Sequence, residues 1–562
     1  MNIFELKKDN LRVNLIALFV LILFVFLGYR LVNLQIMNRG MWRALAQGQQ
    51  TFFTESQGTR GEIYFQGKNK LVPAAVNEPT VFCFASPQKV KDKKKTAETL
   101  SGILDLEEKE LLEKLSRRGQ YAALQHDLSK KKADKIKSLD LDGIFLQQEH
   151  TRTYPQESLA SQVLGFLPAD KKGQYGLEEY YNKQLKGHRG FLKGEKGSGG
   201  NLIFNEQSTL RQGSDLTLTI DYNIQYFAQQ LLKKAAEDLN IRGGSIIVMN
   251  PNTGEVMAMA NYPNFDPNKY SEAEMKTYKN GAIQNLYEPG SVFKPLTMSA
   301  ALNEDVVTPH TTYTDTGKVE VGGYTIKNYD EEVWGETTMT EVIERSINTG
   351  AVFVEQQLGH QKFLDYLEKF GIFEKTGIDL ASETHSENNS LKNGYASTYA
   401  TASYGQGVEV TAIQLMRAFS ALINGGRLVK PHVVKNIDKE AINPPKQRRV
   451  ISKETSSQIT TMLVSAVENG LCSRAQVPGY FVGGKTGTAL ISWTSLGKKK
   501  KGYSDQTWES FMGFAPAFNP KFIALVKLDN PDTGVAGYSA TPMFQKLAKY
   551  ILNYKGIVPT KQ

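Results

Sequence analysis

Three short segments carry residue types that can move protons and attack a carbonyl. In YEPGSVFKPLT, residues 287–297, Ser291 follows a Pro-Gly turn and Lys294 comes three residues later. That spacing puts both side chains on one face of a helix, one turn apart. A lysine desolvated near another cation has a lowered pKa and can act as base toward a serine hydroxyl. A helix start also offers backbone N–H groups where an oxyanion would form. Alone the pair says little, because a serine at a helix start is ordinarily an N-cap.

Such chemistry also needs a proton donor for the leaving group and a holder for an anionic substrate. Ser346-Ile347-Asn348 interrupts the helical run TEVIERSINTGAVFVEQQL, which equally fits a plain helix break capped by Asn348. In GGKTGTALI, Lys485, Thr486, Gly487 and Thr488 fall on a predicted strand. Gly483, Gly484 and Gly487 would let a ligand backbone approach that strand closely. A second Lys-Thr-Gly, residues 375–377 in FGIFEKTGIDL, follows a helix and precedes the polar SETHSENN, so it reads as a loop.

The elements that must position these residues are legible in outline. Pro295 is tolerated only in the first turn of a helix, which puts that helix start near Val292. DLTLTID alternates as a strand, YNIQYFAQQLLKKAAEDL is amphipathic, and SIIVMNPNTGEVMAMANY reads as two strands joined at residues 250–254. Helices are expected over most of 291–425. Strands return in YFVGGKTGTALI, ESFMGFAPA and KFIALVKLD, before a last helix from about Pro542 to Tyr550. Strands, helices, strands and a helix suggest an α/β sandwich on a mainly antiparallel sheet. Upstream, GEIYFQG, KLVPAAV and TVFCFA read as short strands, 96–140 as an amphipathic helical subdomain, and glycine-rich 165–213 as hairpins and linkers.

The 562 residues suffice for several domains. Lys+Arg 67 against Asp+Glu 58 gives +9, spread along the chain in small clusters such as Lys498–Lys501. No zinc-finger spacing, basic-helix array or RNP-like strand supports nucleic acid as partner. The run LRVNLIALFVLILFVFLGYRLVNL, residues 11–34, is apolar without interruption from 15 to 29 and reaches the roughly 20 residues that cross a bilayer. Ala44-Leu45-Ala46 imitates a signal-peptide cleavage site, but Arg30, Arg39 and Arg43 separate it from the apolar run, so the segment reads as an uncleaved anchor. Lys7, Lys8 and Arg12 before it balance those three arginines, and topology stays open on charge. Cys83 and Cys472 read as small buried thiols. None of the seven histidines flanks a motif or forms a metal-ligand spacing, and no cofactor is implied.

Ser-x-x-Lys, Ser-x-Asn and Lys-Thr-Gly, in that order, resemble the signature set of penicillin-recognising transpeptidases and serine β-lactamases. TRGEIY, RTYP at 152–155, YGLEE at 175–179 and LTIDYNIQ are similar to the N-terminal module of class B penicillin-binding proteins. SIIVMNPNTGEVMAMANYPNFDPN, SYGQGVEVTAIQLMRAFSALINGG and SFMGFAPAFNP resemble their transpeptidase domain, and YEPGS the division-specific, septal branch. Both Lys-Thr-Gly triplets occur in that family, the strand-borne one being catalytic. This chain departs from the pattern at FQGKNKLVP, where the family usually carries an Asp-Arg-Asn-Gly turn, at Val292 in place of a common threonine, and at the variable Ile347.

The resemblance implies an α+β fold: an antiparallel sheet flanked by helices, an elongated N-terminal module and one transmembrane helix. Its divisions would be a tail over 1–10, an anchor over 11–34, a pedestal or dimerisation-type module over 35–212, a transpeptidase domain over 213–555 and a tail over 556–562, with no PASTA-like extension. It implies Ser291 as nucleophile, Lys294 as its base with Lys485 helping keep it neutral, Ser346 as proton relay, and Asn348 as holder of Lys294 and the substrate amide. Lys485, Thr486 and Thr488 would face the terminal carboxylate of a peptidoglycan stem peptide, with Gly487 also substrate-binding and the Ser291 and Thr488 N–H groups as oxyanion hole. The implied partners are stem peptides, lipid-linked precursor strands, β-lactams, the membrane, a glycosyltransferase of the SEDS family and divisome proteins. The same resemblance orients the anchor with its short N-terminus inside. A D,D-carboxypeptidase or β-lactamase-type hydrolase, and a non-catalytic β-lactam sensor or scaffold, remain alternatives. No glutamate motif announces a deacylating water, and about ten residues before the span leave little for signalling.

Overall fold

Wholly buried strands mark the centre of the C-terminal sheet. In the computed structural model, which describes residues 6–32, 51–119, 121–196, 202–205, 212–442 and 447–561, Gly243–Met249 (β1) is buried at every position. Val256–Tyr262 (β2) returns from it through the turn at residues 250–254. Gly483–Ser492 (β3), Tyr503–Ala515 (β4) and Phe522–Asp529 (β5) complete five antiparallel strands in the order β2-β1-β5-β4-β3. β3 is therefore an edge strand, with the backbone groups of its outer side left unpaired by the sheet.

Helices cover both faces. Tyr222–Leu239 (α1) starts where Asp221 accepts the Asn223 and Ile224 N–H groups, and Lys294–Asn303 (α2) carries Pro295 in its first turn. Met339–Glu344 (α3) opens with a reciprocal Thr338–Glu341 capping box, and Asn348–Leu358 (α4) follows after a short break. Ala412–Ile423 (α5) is buried on every side, as a helix apolar all round must be when it forms the middle of a core. Lys453–Glu468 (α6) packs against β3, while Ala540–Tyr554 (α7) packs against β4 and β5 on the same side as α1. The α/β sandwich with an antiparallel sheet is the expected architecture.

A second sheet of seven strands runs through the N-terminal segment. Ile63–Gln66 pairs with Val72–Ala85 on one side and, in parallel, with Leu216–Asp221 on the other. FQGKNKLVP, the departure from the family pattern, makes the turn between the first two strands. Residues 62–185 and 214–562 form one compact unit; residues 1–61 and 186–213 form another. The latter holds a three-stranded antiparallel sheet (Thr51–Gln57, Arg189–Lys196, Leu202–Asn205) and the helix Leu6–Val32.

Several expectations need correction. Within the expected helical subdomain, Ala122–Leu128 is a strand pairing with Val72–Ala85. Short helices at Gly176–Tyr180 and Asn182–Leu185 replace expected hairpins, because Leu177 and Leu185 turn into the core. Four short strands between residues 312 and 338 break the expected run of helices. Apart from these corrections, the anchor expected over 11–34 overlaps the helix Leu6–Val32, whose side chains Leu18–Leu27 are exposed, and its last two residues lie outside the described ones. Among the described residues no helix is long and apolar enough to cross a membrane. Arg39, Arg43 and the rest of 33–50 lie outside the described residues.

Candidate active site

Gly290 turns the chain into the site with φ of 58°, a conformation glycine adopts without strain. Gly290–Phe293 is then a 3-10 turn, and α2 begins at Lys294, two residues later than expected from Pro295. The difference matters, because side chains at i and i+3 eclipse in a 3-10 turn. Ser291 and Lys294 therefore lie one above the other, and the Lys294 N–H donates to the Ser291 carbonyl. Ser291 is half-buried; Lys294 is only 1 % exposed.

Two segments clamp this turn. Gly290 N–H donates to the Gly405 carbonyl at 3.0 Å. On the other side, a Cβ on Gly487 would sit 2.7 Å from the Pro289 carbonyl oxygen and 2.7 Å from Val292 Cγ2. The β3 glycines thus make room for the protein itself. Gly487 admits the nucleophile turn, while Gly483 and Gly484 accommodate the Phe514 and Phe511 rings. Backbone approach by a ligand is not needed to explain them. The outcome puts the Thr488 backbone against the Gly290–Ser291 peptide, since a Cβ on Gly290 would meet the Thr488 carbonyl at 3.1 Å.

The break between α3 and α4 forms at Ser346, whose φ of 59° is a left-handed conformation rare outside glycine. Ile347 is extended, its N–H donates to the Val342 carbonyl, and α4 resumes at Asn348. This geometry turns the Ser346 and Asn348 side chains onto the two lysines. Lys294 Nζ donates to Asn348 Oδ1 at 2.8 Å, lies 3.3 Å from Ser346 Oγ and also bonds the Ser346 carbonyl. Lys485 Nζ donates to Ser346 Oγ at 2.8 Å. The five residues expected to carry chemistry come from a turn, a helix break and a strand. Four of them, Lys294, Ser346, Asn348 and Lys485, form one hydrogen-bonded group, and Ser291 stands one turn before Lys294.

Burial sets the charge states. Desolvation first, and then the Lys485 charge, hold the Lys294 amine well below its ordinary 10.5. Burial brings Lys485 down to about 8, against the opposing influence of Cys472. Two buried ammonium groups bonded to one hydroxyl repel each other, and the more depressed one sheds its proton first. Lys294 is thereby the readier of the two to give up its proton and act as acceptor, with Lys485 the more persistent cation beside it. Ser346 Oγ accepts from Lys485, and Lys294 Nζ lies within 3.3 Å of it, so a proton can pass between the hydroxyl and that amine.

Along β3, Thr486 and Thr488 alternate with Lys485 and Gly487. Thr486 Oγ1 faces the buried Cys472 Sγ at 4.0 Å, and Thr488 Oγ1 accepts from the Ala536 N–H at 3.2 Å. Glu509, opposite Thr488 on β4, was not singled out from sequence. It is fully buried, its carboxyl is pushed up by desolvation, and it accepts hydroxyl bonds from Thr507, Thr533 and Ser539, tying the 530–539 loop beside Thr488. Its one sequence signal is an acid at the head of the apolar run ESFMGFA.

The second Lys-Thr-Gly lies in a loop, as expected. Lys375 is exposed, and the Thr376 and Gly377 N–H groups donate to Glu383 at 2.7 and 2.9 Å. Cys83 and Cys472 are both buried free thiols. Among the described residues no cluster of His, Cys, Asp and Glu is placed to hold a metal ion.

Comparison with known proteins fits this geometry. Residues 244–549 match the penicillin binding protein transpeptidase domain, and residues 55–218 the penicillin-binding protein dimerisation domain. The chain is 33 % identical to stage V sporulation protein D of Bacillus subtilis, over 98 % of this chain and 86 % of the relative. It is 29 % identical to a probable peptidoglycan D,D-transpeptidase, PenA, of Neisseria meningitidis, over 99 % of this chain and 95 % of the relative. Among solved structures it is similar to penicillin binding protein 3 of Mycobacterium tuberculosis in complex with aztreonam, with a TM-score of 0.69 and 25 % identity, covering 90 % of this chain and 98 % of the other.

Proposed function

The chain belongs to the penicillin-binding transpeptidases, in the class B, septal-type branch, and we propose from that premise that it cross-links peptidoglycan through an acyl-enzyme on Ser291. It is a serine-type D,D-transpeptidase. Neutral Lys294 takes the Ser291 proton as Oγ attacks the carbonyl of the penultimate D-alanine of a stem peptide. The N–H groups of Ser291 and Thr488 receive the oxyanion. As the C–N bond breaks, Ser346 gives its hydrogen to the departing D-alanine amine and is resupplied from Lys294. An acceptor amine from a neighbouring stem then attacks the ester, its proton leaves through the same relay, and Ser291 is released as an amide cross-link forms.

Charged Lys485, with Thr486 and Thr488, holds the terminal carboxylate, and the unpaired edge of β3, Gly487 included, receives the extended stem peptide as an added strand. Asn348 keeps one N–H for the substrate amide, since its Oδ1 accepts from Lys294 and its Nδ2 donates to the Lys327 carbonyl at 3.0 Å. The observation that carries this reading is the pair of buried lysines sharing Ser346 Oγ, one poised as base and the other as cation. β-Lactams, which mimic the D-Ala-D-Ala end, acylate the same serine.

The domain divisions follow the sequence: anchor 11–34, N-terminal module 35–212, transpeptidase 213–555. The uninterrupted apolar run supports a single-pass anchor in the cytoplasmic membrane, with the catalytic domain outside. There the enzyme works in septal wall synthesis on lipid-linked precursor strands, with divisome proteins and a SEDS-family glycosyltransferase as partners. Purified protein given a D-Ala-D-Ala stem pentapeptide and an amine acceptor tests the reaction. Release of D-alanine with an equal amount of cross-linked product is expected, and none from Ser291→Ala. Free tetrapeptide as the sole product, with acceptor present, would make the enzyme a carboxypeptidase instead.

A further inference from the structure

Asn348 is held by a segment that none of the three motifs includes. The strands between residues 312 and 338 lie between α2 and α3 in sequence, and Asn328 directly follows the hairpin strand Tyr324–Lys327. Asn328 Oδ1 accepts the Asn348 and Thr349 N–H groups, both at 3.1 Å, so a side chain 20 positions upstream caps α4. Neighbouring Lys327 supplies the carbonyl that takes Asn348 Nδ2. Both groups that fix the Asn348 backbone and amide therefore come from residues 327–328.

Asn328 is itself fixed. Its Nδ2 donates to Asp315 Oδ1 and Oδ2 at 3.1 and 3.0 Å and to the Glu332 carbonyl at 3.1 Å. Asp315 also accepts Thr349 Oγ1 at 2.6 Å, Trp334 N–H at 2.9 Å and Gly317 N–H at 3.1 Å. Asp315 is 1 % exposed and Asn328 6 %. A carboxylate is costly to bury, and here uncharged donors surround it on every side named. Capping α4 needs only one acceptor, and an exposed serine at its N-cap would serve. The buried network does more: it fixes the Asn348 backbone beside the Lys327 carbonyl, which takes Nδ2 and so leaves Oδ1 toward Lys294.

We propose that Asn328, locked by Asp315, is a positioning residue for Asn348 and through it holds the Lys294 amine ready for proton transfer. This rests on the reading of Lys294 as the base. Losing the Asn348 acceptor disfavours the ammonium form of Lys294 more than the neutral form. The acid limb of the acylation profile then moves to lower pH while the plateau falls. Lys485 is the charged group facing Lys294, and it is unchanged by these substitutions.

The test is a double-mutant cycle on acylation by a fluorescent penicillin, using Asn328→Ala, Asn348→Ala and the double variant. Each single change is expected to slow acylation by about tenfold or more, as small misplacements of catalytic groups do. The double variant should be little slower than Asn348→Ala alone, because the two residues act as one, and Asn328→Ala should shift the acid limb as Asn348→Ala does. Multiplicative losses, or an Asn328→Ala profile scaled down without a shift and in step with lost folded protein, overturn the proposal in favour of a simple cap. Should Asn328→Ala fail to fold, Asp315→Asn, which keeps the side-chain volume, runs the same cycle with the same two outcomes. Absent labelling of the wild type removes the functional reading itself; labelling with a multiplicative cycle removes only this inference.

Discussion

Lys485 Nζ donates a 2.8 Å hydrogen bond to Ser346 Oγ, joining residues 139 positions apart. The bond ties edge strand β3 to the break between α3 and α4, and it places a cation beside the hydroxyl that Lys294 also reaches. Charge on Lys485 helps keep Lys294 neutral, so the anion-holding residue and the base are one electrostatic device.

Ser346 occupies a position that favours glycine, with φ of 59°. Ser346→Gly removes roughly 1 kcal/mol of strain, partly offset by the freer unfolded chain. Thermal unfolding should show a stability within about 1 kcal/mol of the wild type. Acylation, having lost its relay, should fall about a hundredfold or more.

Lys485→Met should separate stability from activity. Between about 8 and its ordinary 10.5 the folded protein has shed the Lys485 proton that the unfolded chain still holds, so stability rises with pH across that window. Below about 8 the charged form is buried at a cost of roughly 3 kcal/mol. Methionine carries no such charge. Denaturant unfolding at neutral pH should find the variant at least as stable as the wild type, with the rise between pH 8 and 10.5 flattened, and penicillin labelling lost.

The same two lysines shape the pH dependence of acylation. Rate should rise with pH as Lys294 loses its proton, from a point well below 10.5, and fall above about 8 as Lys485 becomes neutral and releases the substrate carboxylate. Stopped-flow acylation across pH 5 to 10 reads both limbs; in Lys485→Arg, whose charge persists, the alkaline limb should disappear.

Much of this was legible in the sequence because it is local. Strand alternation placed Lys485 on β3, the i to i+3 spacing paired Ser291 with Lys294, and the break at Ser346 interrupted a helical period. What sequence did not reveal depends on tertiary contact. Gly487 reads as permissive of ligand until Pro289 and Val292 are seen against it. Asp315 and Asn328 sit in polar segments with no periodicity, and their value lies wholly in meeting Thr349 and Asn348.

Gly487→Ala tests that contact. Its Cβ would lie 2.7 Å from the Pro289 carbonyl oxygen, Ser510 Oγ and Val292 Cγ2, so either β3 or the nucleophile turn must shift. Overpacking of this kind costs about 1–3 kcal/mol. Folded variant protein should label with penicillin far more slowly than its loss of stability accounts for.

The central claim is that Ser291 is the acylated residue and Lys485, not Lys375, serves it. Labelling with a fluorescent penicillin followed by peptide mapping tests this directly. The account predicts one adduct on the peptide containing Ser291, none in Ser291→Ala, little in Lys485→Ala and full labelling in Lys375→Ala. Equal labelling of Ser291→Ala, or an adduct mapped to another peptide, would contradict it.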